Sequence, residues 1–491
     1  MRRRRVVLQV LLVLLLTFAG FCEMGYHPGV EDDAVYLSAV KADLHPTLFP
    51  HDADFFRLQL QATVFDGCIA KTVEITHLAV PGVELLVQLL NLFSILWASC
   101  TIARRIFPKG WSCWGGVALL SAMFTLPVAG TALYICDQHL HPRNIATAFI
   151  LFAVDRILAR KNWQAIPLLI LAVIMHPIMA ALGISFCCFL WACVWGPEFR
   201  HRRHTGNTLA AAVPMGWIFE PPSPTWREAL ATRRYYFLNQ WEWYEWLGAI
   251  GPLILFWILS RWAQRTGRTL LARFALSVAL FGVFQQMVSI VVLATPQLVR
   301  LTPMQPMRYL HLVYLFTVIC AGCLAAEFLL KRSLWRWVLF VAATGIGMFI
   351  PQRLLYPATP HLEMPWTQPA SPWLQAFAWI RENTPEDAYF AAGPRYMEAP
   401  GEDYHGFRAL AERSALADLV KDSAVVTQVP QLGPRWDREA RAQVGWEHFG
   451  PADFERLKRE FGVDWVLVTN SRAAGLSCPW HNDQLAVCRV P

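Results

Sequence analysis

Apolar residues run through this chain in stretches of bilayer length rather than at amphipathic spacing. A hydrocarbon core takes about 20 apolar residues per helix. Stretches of that kind fall near 6–22, 78–102, 111–134, 145–159, 163–175, 178–195, 207–219, 247–260, 270–294, 308–329 and 334–350. Polar residues collect between them, most densely at 23–77 and after 350. The pattern predicts about eleven membrane-spanning helices (207–219 being the weakest), a long first loop at 23–77, and two domains: a membrane body at 1–350 and a soluble tail at 351–491. The tail has a different rhythm. Ser371-Pro372 caps a helix that Thr384-Pro385 stops, and a second helix over 451–461 ends at Gly462. Residues 463–469 and 485–490 read as strands, with 478–483 as the turn region between them. The fold class is a polytopic α-helical membrane protein with a small C-terminal α/β domain.

Composition agrees. Of 491 residues, 55% are apolar and only 16% charged, with a mean hydropathy of +0.34, whereas soluble domains carry about 25% charged residues. A soluble enzyme, a disordered chain and a collagen-like chain are excluded. The body is net basic and the tail net acidic. Lys and Arg in short loops report orientation. If the Arg2–Arg5 run lies inside, alternation puts Arg104/Arg105/Lys109, Arg156/Arg160/Lys161, Arg200/Arg202/Arg203, Arg261/Arg265/Arg268/Arg273 and Lys331/Arg332/Arg336 on that side too. The basic excess is therefore a topology signal, and no nucleic-acid partner is implied.

The first span reads as an uncleaved anchor, because no small-x-small cleavage site follows and bulky Phe21 precedes Cys22. An odd span count then puts the first loop and the tail outside: a bacterial inner membrane protein with a cytoplasmic N-terminus and a periplasmic tail. That compartment oxidises thiol pairs. Cys478 and Cys488 are the tail's two cysteines, and a disulfide between them is expected. The other cysteines lie mostly in spans, as small buried hydrophobes.

Candidate chemistry gathers in the outer loops. Glu31-Asp32-Asp33 follows the first span closely. Crowded carboxylates raise one another's pKa, which suits general-base work, while acids before an apolar helix also serve as caps; both uses are open. His51-Asp52-Ala53-Asp54 reads as turn residues, with metal ligation as the sharper alternative. Asp137, His139, His141 and Arg143 form a polar loop that either binds a divalent metal or caps the next helix. Arg300, Arg308 and His311 stand at a proline-broken outer mouth, where a cation and a helix start favour phosphate or lipid headgroups. His176-Pro177 reads as a hairpin corner. Trp241-Glu242-Trp243-Tyr244-Glu245-Trp246 reads as an interfacial aromatic belt anchoring the chain among membrane lipids.

This arrangement resembles the GT-C superfamily, integral-membrane glycosyltransferases that use polyprenyl-phosphate-linked sugars. The tail adds Trp373-x5-Trp379-Ile380-Arg381-x2-Thr384-Pro385, then Phe407-Arg408, Trp436-x-Arg438 and Phe461-Gly462-Val463-Asp464-Trp465-Val466-Leu467-Val468. That order looks like the outer domain of bacterial members and of related membrane proteins of unassigned function, and the resemblance covers nearly the whole chain. It implies a sugar transfer to an outer-face hydroxyl, with Glu31, Asp32 or Asp33 (Asp32 favoured) as base. Arg308, with His311 or Arg300, would hold the donor phosphate. No cofactor is required by this logic, and no metal or oligomeric state is assigned. The rival expectation is a non-catalytic membrane protein or a transporter of lipid-linked substrates, although few charged residues lie within the spans.

The topology is testable by reporter fusions after residues 60 and 360. Both should report the outer side; an inner-side signal at 360 would make the span count even.

Overall fold

The computed structural model describes residues 2–196 and 220–491, with side chains from Val6 onward. Seven helices among the described residues are long and apolar enough to cross a membrane: Val6–Met24, Val80–Ile106, Pro177–Val194, Trp243–Arg265, Thr269–Ala294, Pro306–Leu330 and Leu334–Leu355. Seven, rather than eleven, meet that description. Asn162–Met175 is apolar but short, and Pro142–Leu158 is a largely buried helix of 17 residues. The stretch at 207–219, with Arg200, Arg202 and Arg203, lies outside the described residues. The stretch at 111–134 is not one span. Its helix stops at Ser121, and β1 (Pro127–Val128) pairs antiparallel with β2 (Leu133–Tyr134). Gly130 makes that hairpin possible: its φ is +64°, and a Cβ there would lie 2.4 Å from the Trp241 ring.

Charge marks the end of the bundle away from the tail. Arg105 donates to Asp155 at 2.6 Å, Arg156 pairs with the same carboxylate, and Glu327 takes Arg268 at 2.5 Å and Lys109 at 3.0 Å. Asp155 and Glu327 are buried, so each needs these partners to remain ionised. Three of the basic clusters expected to share a side are thus linked through shared acids, Arg105 to Arg156 by Asp155 and Lys109 to Arg268 by Glu327.

At the opposite end the first loop folds into helices Asp33–Leu44, Asp54–Leu60 and Phe65–Thr76, and the tail sits upon it. The tail sheet runs β4 (Ser414–Ala415), β3 (Tyr389–Ala391), β5 (Trp465–Thr469), β7 (Leu485–Arg489), β6 (Ser477–His481), with parallel pairs among the first three and antiparallel pairs after β5. Successive side chains alternate faces. Trp465 and Leu467 join Phe377, Phe390 and Phe407 on one side, and Val466 and Val468 join Phe454 and Val463 on the other. Ser371 caps the helix Pro372–Asn383 by accepting from the Leu374 amide, and Gly462 ends Pro451–Phe461 at φ +81°. The expected turn at 478–483 is mostly strand β6; the bend itself is at 482–484. Strand pairing brings Cys478 beside Cys488, and their sulfurs are bonded.

Loop and tail are joined by main chain and by charge. Val30 bridges His405 and Tyr26 bridges Leu362, while the Gly406 amide donates to the Gly29 carbonyl at 2.8 Å. Gly406 has no room for a side chain, since a Cβ would lie 2.3 Å from that of Ala34. Asp52 lies in a turn, as expected, and is also a buried acceptor: it pairs with Arg408 and takes the Ala415 amide at 2.9 Å. Arg408 also forks onto Asp422 at 2.8 and 2.9 Å. Removing one partner of such a network strands buried charge. Arg408→Ala should cost about 3–5 kcal/mol, measured by chemical denaturation of the full chain in detergent; wild-type stability would contradict the assignment.

Candidate active site

The acid loop is held in an unusual backbone shape. Glu31 adopts φ +52°, a left-handed conformation uncommon outside glycine, and its amide donates to the Tyr404 carbonyl at 3.0 Å. Three adjacent acids consequently point in different directions. Asp33 turns inward, is 1% exposed, and accepts the Gly29 amide at 2.6 Å. Burial pushes its carboxyl up to about 6. It lines neither cavity described below and serves to close the loop. Asp32 stands at the N-terminus of Asp33–Leu44 but makes no capping bond. Its side chain is 46% exposed, which leaves helix capping without support for this residue.

His141 approaches Asp32 from the polar loop. Its Nε2 lies 3.6 Å from Asp32 Oδ2, and its Nδ1 accepts the Arg143 amide at 2.9 Å. That bond caps the helix Pro142–Leu158 and fixes the neutral tautomer with the proton on Nε2, facing the carboxylate. Burial and then Arg143 hold the imidazole down at about 4. Arg143 donates to Asp137 at 2.6 Å, so the loop both caps its helix and forms a wall of the site. Asp137 Oδ1 and the His141 Nδ1 are thereby engaged by Arg143, while Asp137 Oδ2 is buried without a hydrogen-bond partner. Among the described residues no group of three or more His, Cys, Asp or Glu side chains is arranged to hold a metal.

The third segment separates its candidates. Between the turns Pro296–Met304 and Pro306–Tyr309, Gln305 takes φ +46°. Its amide oxygen accepts from Arg308 Nε at 2.9 Å while its Nε2 donates to the Tyr236 hydroxyl at 2.9 Å. Arg308 is thereby fixed at the site. His311 is not there: it is fully buried and bonds the Ile135 carbonyl at 2.9 Å, tying its helix to the segment after the hairpin. Arg300 is also elsewhere, donating to the Glu220 carbonyl at 2.8 Å. The expectation paired Arg308 with His311 or Arg300; neither of the two lines a cavity with Arg308, and both bond backbone carbonyls.

The tail supplies a cation that the sequence reading missed. Lys421 Nζ contacts Glu31 and lies 3.1 Å from Asp32 Oδ1. Against burial, which would raise it, Lys421, His141 and Arg143 hold the Asp32 carboxyl well below the usual carboxylate range. The only sequence hint was a lone lysine beside acids in the tail, a feature shared by any solvated loop.

Two cavities meet at this point. The smaller, about 310 Å³, is lined by Val35, Leu60, Met175, Ile178, Tyr236 and His141, among others. The larger, about 700 Å³, is lined by Glu31, Asp137, His139, Arg143, Arg233 and several tyrosines (Tyr134, Tyr244, Tyr356 and Tyr404 among them). Asp32, Tyr235, Arg308 and Lys421 line both. The shared wall is the candidate active site.

Structural neighbours of the chain are archaeal oligosaccharyltransferases. AglB from Archaeoglobus fulgidus, in complex with an inhibitory peptide and a dolichol-phosphate, is similar at a TM-score of 0.44 and 10% identity, over 94% of this chain and 69% of that one. The Archaeoglobus fulgidus oligosaccharyltransferase in complex with Zn and sulfate is similar at 0.39 and 11%, over 93% and 68%. No family model and no curated protein matches.

Behind the acid loop lies a second buried cluster. Glu363 accepts from His27 at 2.6 Å and from His405 at 3.1 Å, and His405 also faces Glu402 at 3.2 Å. Burial alone would lower His405, yet Glu363 and Glu402 raise it to about 10. Burial would raise Glu363, yet His405 and His27 bring it down to about 2. A raised histidine stabilises the fold fully below its unfolded pKa of about 6.5 and loses that contribution as pH rises through about 10. The depressed carboxylate contributes above its unfolded pKa of about 4.3 and loses that as pH falls through about 2. Stability of the full chain should therefore decline between pH 7 and 10, and His405→Gln should flatten that limb in denaturation measured against pH. An unchanged alkaline limb in the variant would refute the pairing.

Proposed function

We propose that the protein is a membrane glycosyltransferase that moves a sugar from a polyprenyl-phosphate donor to a hydroxyl on an outer-face acceptor, with inversion. The observation that carries this reading is the shared wall, where a half-exposed carboxylate and an arginine border two adjoining cavities. Part of the smaller cavity is walled by Val35, Leu60, Met175 and Ile178, beside His141, His176 and Gln305, and that apolar part suits the first isoprene units of a lipid carrier. The larger, rich in tyrosine hydroxyls, carboxylates and guanidinium groups, suits a carbohydrate. Lipid donor and acceptor then meet at the wall that carries Asp32, where attack on the anomeric carbon from the face opposite the phosphate gives inversion.

Asp32 takes the proton of the attacking hydroxyl as the acceptor oxygen bonds to the anomeric carbon. The bond from that carbon to the phosphate oxygen breaks, and the phosphate leaves with the electron pair. Arg308 neutralises the charge that develops on it, so electrostatic stabilisation is the main contribution. Arg233 completes the wall on the acceptor side, and Tyr235 borders both cavities. Asp33 takes no part in the reaction.

Release of polyprenyl phosphate from polyprenyl-phosphate sugars, followed by mass spectrometry, tests the assignment. Asp32→Asn should lower kcat by about 10²–10⁴, and Arg308→Ala by a comparable factor of about 10²–10³. Full turnover in Asp32→Asn and in Glu31→Gln would refute it.

A further inference from the structure

Lys421 is 8% exposed, belongs to the tail, and nonetheless borders both cavities beside Arg308. Its position is fixed from several directions. Asp418 accepts the amides of Val420 at 2.7 Å and Lys421 at 2.5 Å. Arg233 contacts the Val420 carbonyl and donates to Ser423 at 2.7 Å. Asp422, next along the chain, is gripped by Arg408. An ammonium has three donors. Two go to Glu31 and Asp32, which leaves one for a ligand.

We infer that Lys421 is a second cation on the donor phosphate, and that phosphate binding draws it away from Asp32 and so releases the base. This rests on the transferase reading above. In the empty site Lys421 neutralises Asp32, which makes the carboxylate a poor proton acceptor. An arriving lipid phosphate competes for the same ammonium. As Lys421 turns to it, Asp32 loses its nearest cation, and its basicity rises when the donor is in place. When the phosphate leaves with the electron pair of the broken glycosidic bond, Lys421 and Arg308 carry the added charge and the acceptor proton rests on Asp32. The charged and titratable groups around this pair are Glu31, Asp33 and Tyr36 on the first loop, His141 and Arg143 on the polar loop, Arg233, and Arg308.

Farnesyl monophosphate is the probe, because the phosphorylated leaving group is common to every sugar, and farnesol is its uncharged control. Binding is measured on the full chain in nanodiscs. Lys421→Ala should weaken the monophosphate ~10–100-fold while leaving farnesol unchanged, and Lys421→Arg should retain most of the affinity. Asp32→Asn should tighten the monophosphate several-fold by freeing Lys421, and that gain should vanish in the Asp32→Asn/Lys421→Ala double variant. A gain that persists in the double variant means simple relief of charge repulsion and overturns the exchange, as does wild-type affinity in both Lys421→Ala and Lys421→Gln. If the wild-type chain binds farnesyl monophosphate no better than farnesol, the transferase reading itself falls.

Discussion

The ion pairing between the first loop and the tail is the constraint on which the rest depends. Glu31 and Asp32 lie close to the first membrane helix, and the cation facing them comes 389 residues later than Asp32. A carboxylate left alone in a half-buried cleft would neutralise itself by taking a proton. With Lys421, His141 and Arg143 around it, Asp32 stays ionised. The candidate site is complete only when the tail is docked, which makes the tail part of that site.

Docking is itself a matter of shared charge and close backbone contact. Arg408 spans Asp52 of the loop and Asp422 of the tail, and Asp422 adjoins Lys421. The residue that fastens the two segments therefore also sets the cation in the candidate site. Beside it, the Val30–His405 bridge and the absence of a side chain at Gly406 let loop and tail approach closely enough for these pairs to form. Such networks stabilise only while every member is satisfied, so docking and site geometry fail or hold together.

Much of this was legible in the sequence for a physical reason: acids and arginines at membrane exits stand out against apolar surroundings. Glu31, Asp32, Asp137, Arg143 and Arg308 were all singled out, and they line the two cavities. What the sequence concealed was partnership. Lys421 looks like any solvated lysine until the fold carries it to Asp32, and the turn position of Asp52 gives no sign of its pairing with Arg408. His311 and Arg300 matched the residue types of a phosphate site, but each spends its donors on a backbone carbonyl. The stretch at 111–134 matched the hydropathy of a span, while Pro127 and Gly130 turned half of it into a hairpin. Pattern reads burial well and reads tertiary pairing poorly, because the second depends on residues far away along the chain.

The measurement that bears most directly on the central claim is a cryo-EM structure of the full chain in a lipid nanodisc with polyprenyl monophosphate. The account places the phosphate within about 3 Å of both the Arg308 guanidinium and the Lys421 ammonium, with the isoprenoid leading past Met175 and Ile178. A phosphate bound elsewhere, with the wall of Asp32 and Arg308 empty, would contradict it.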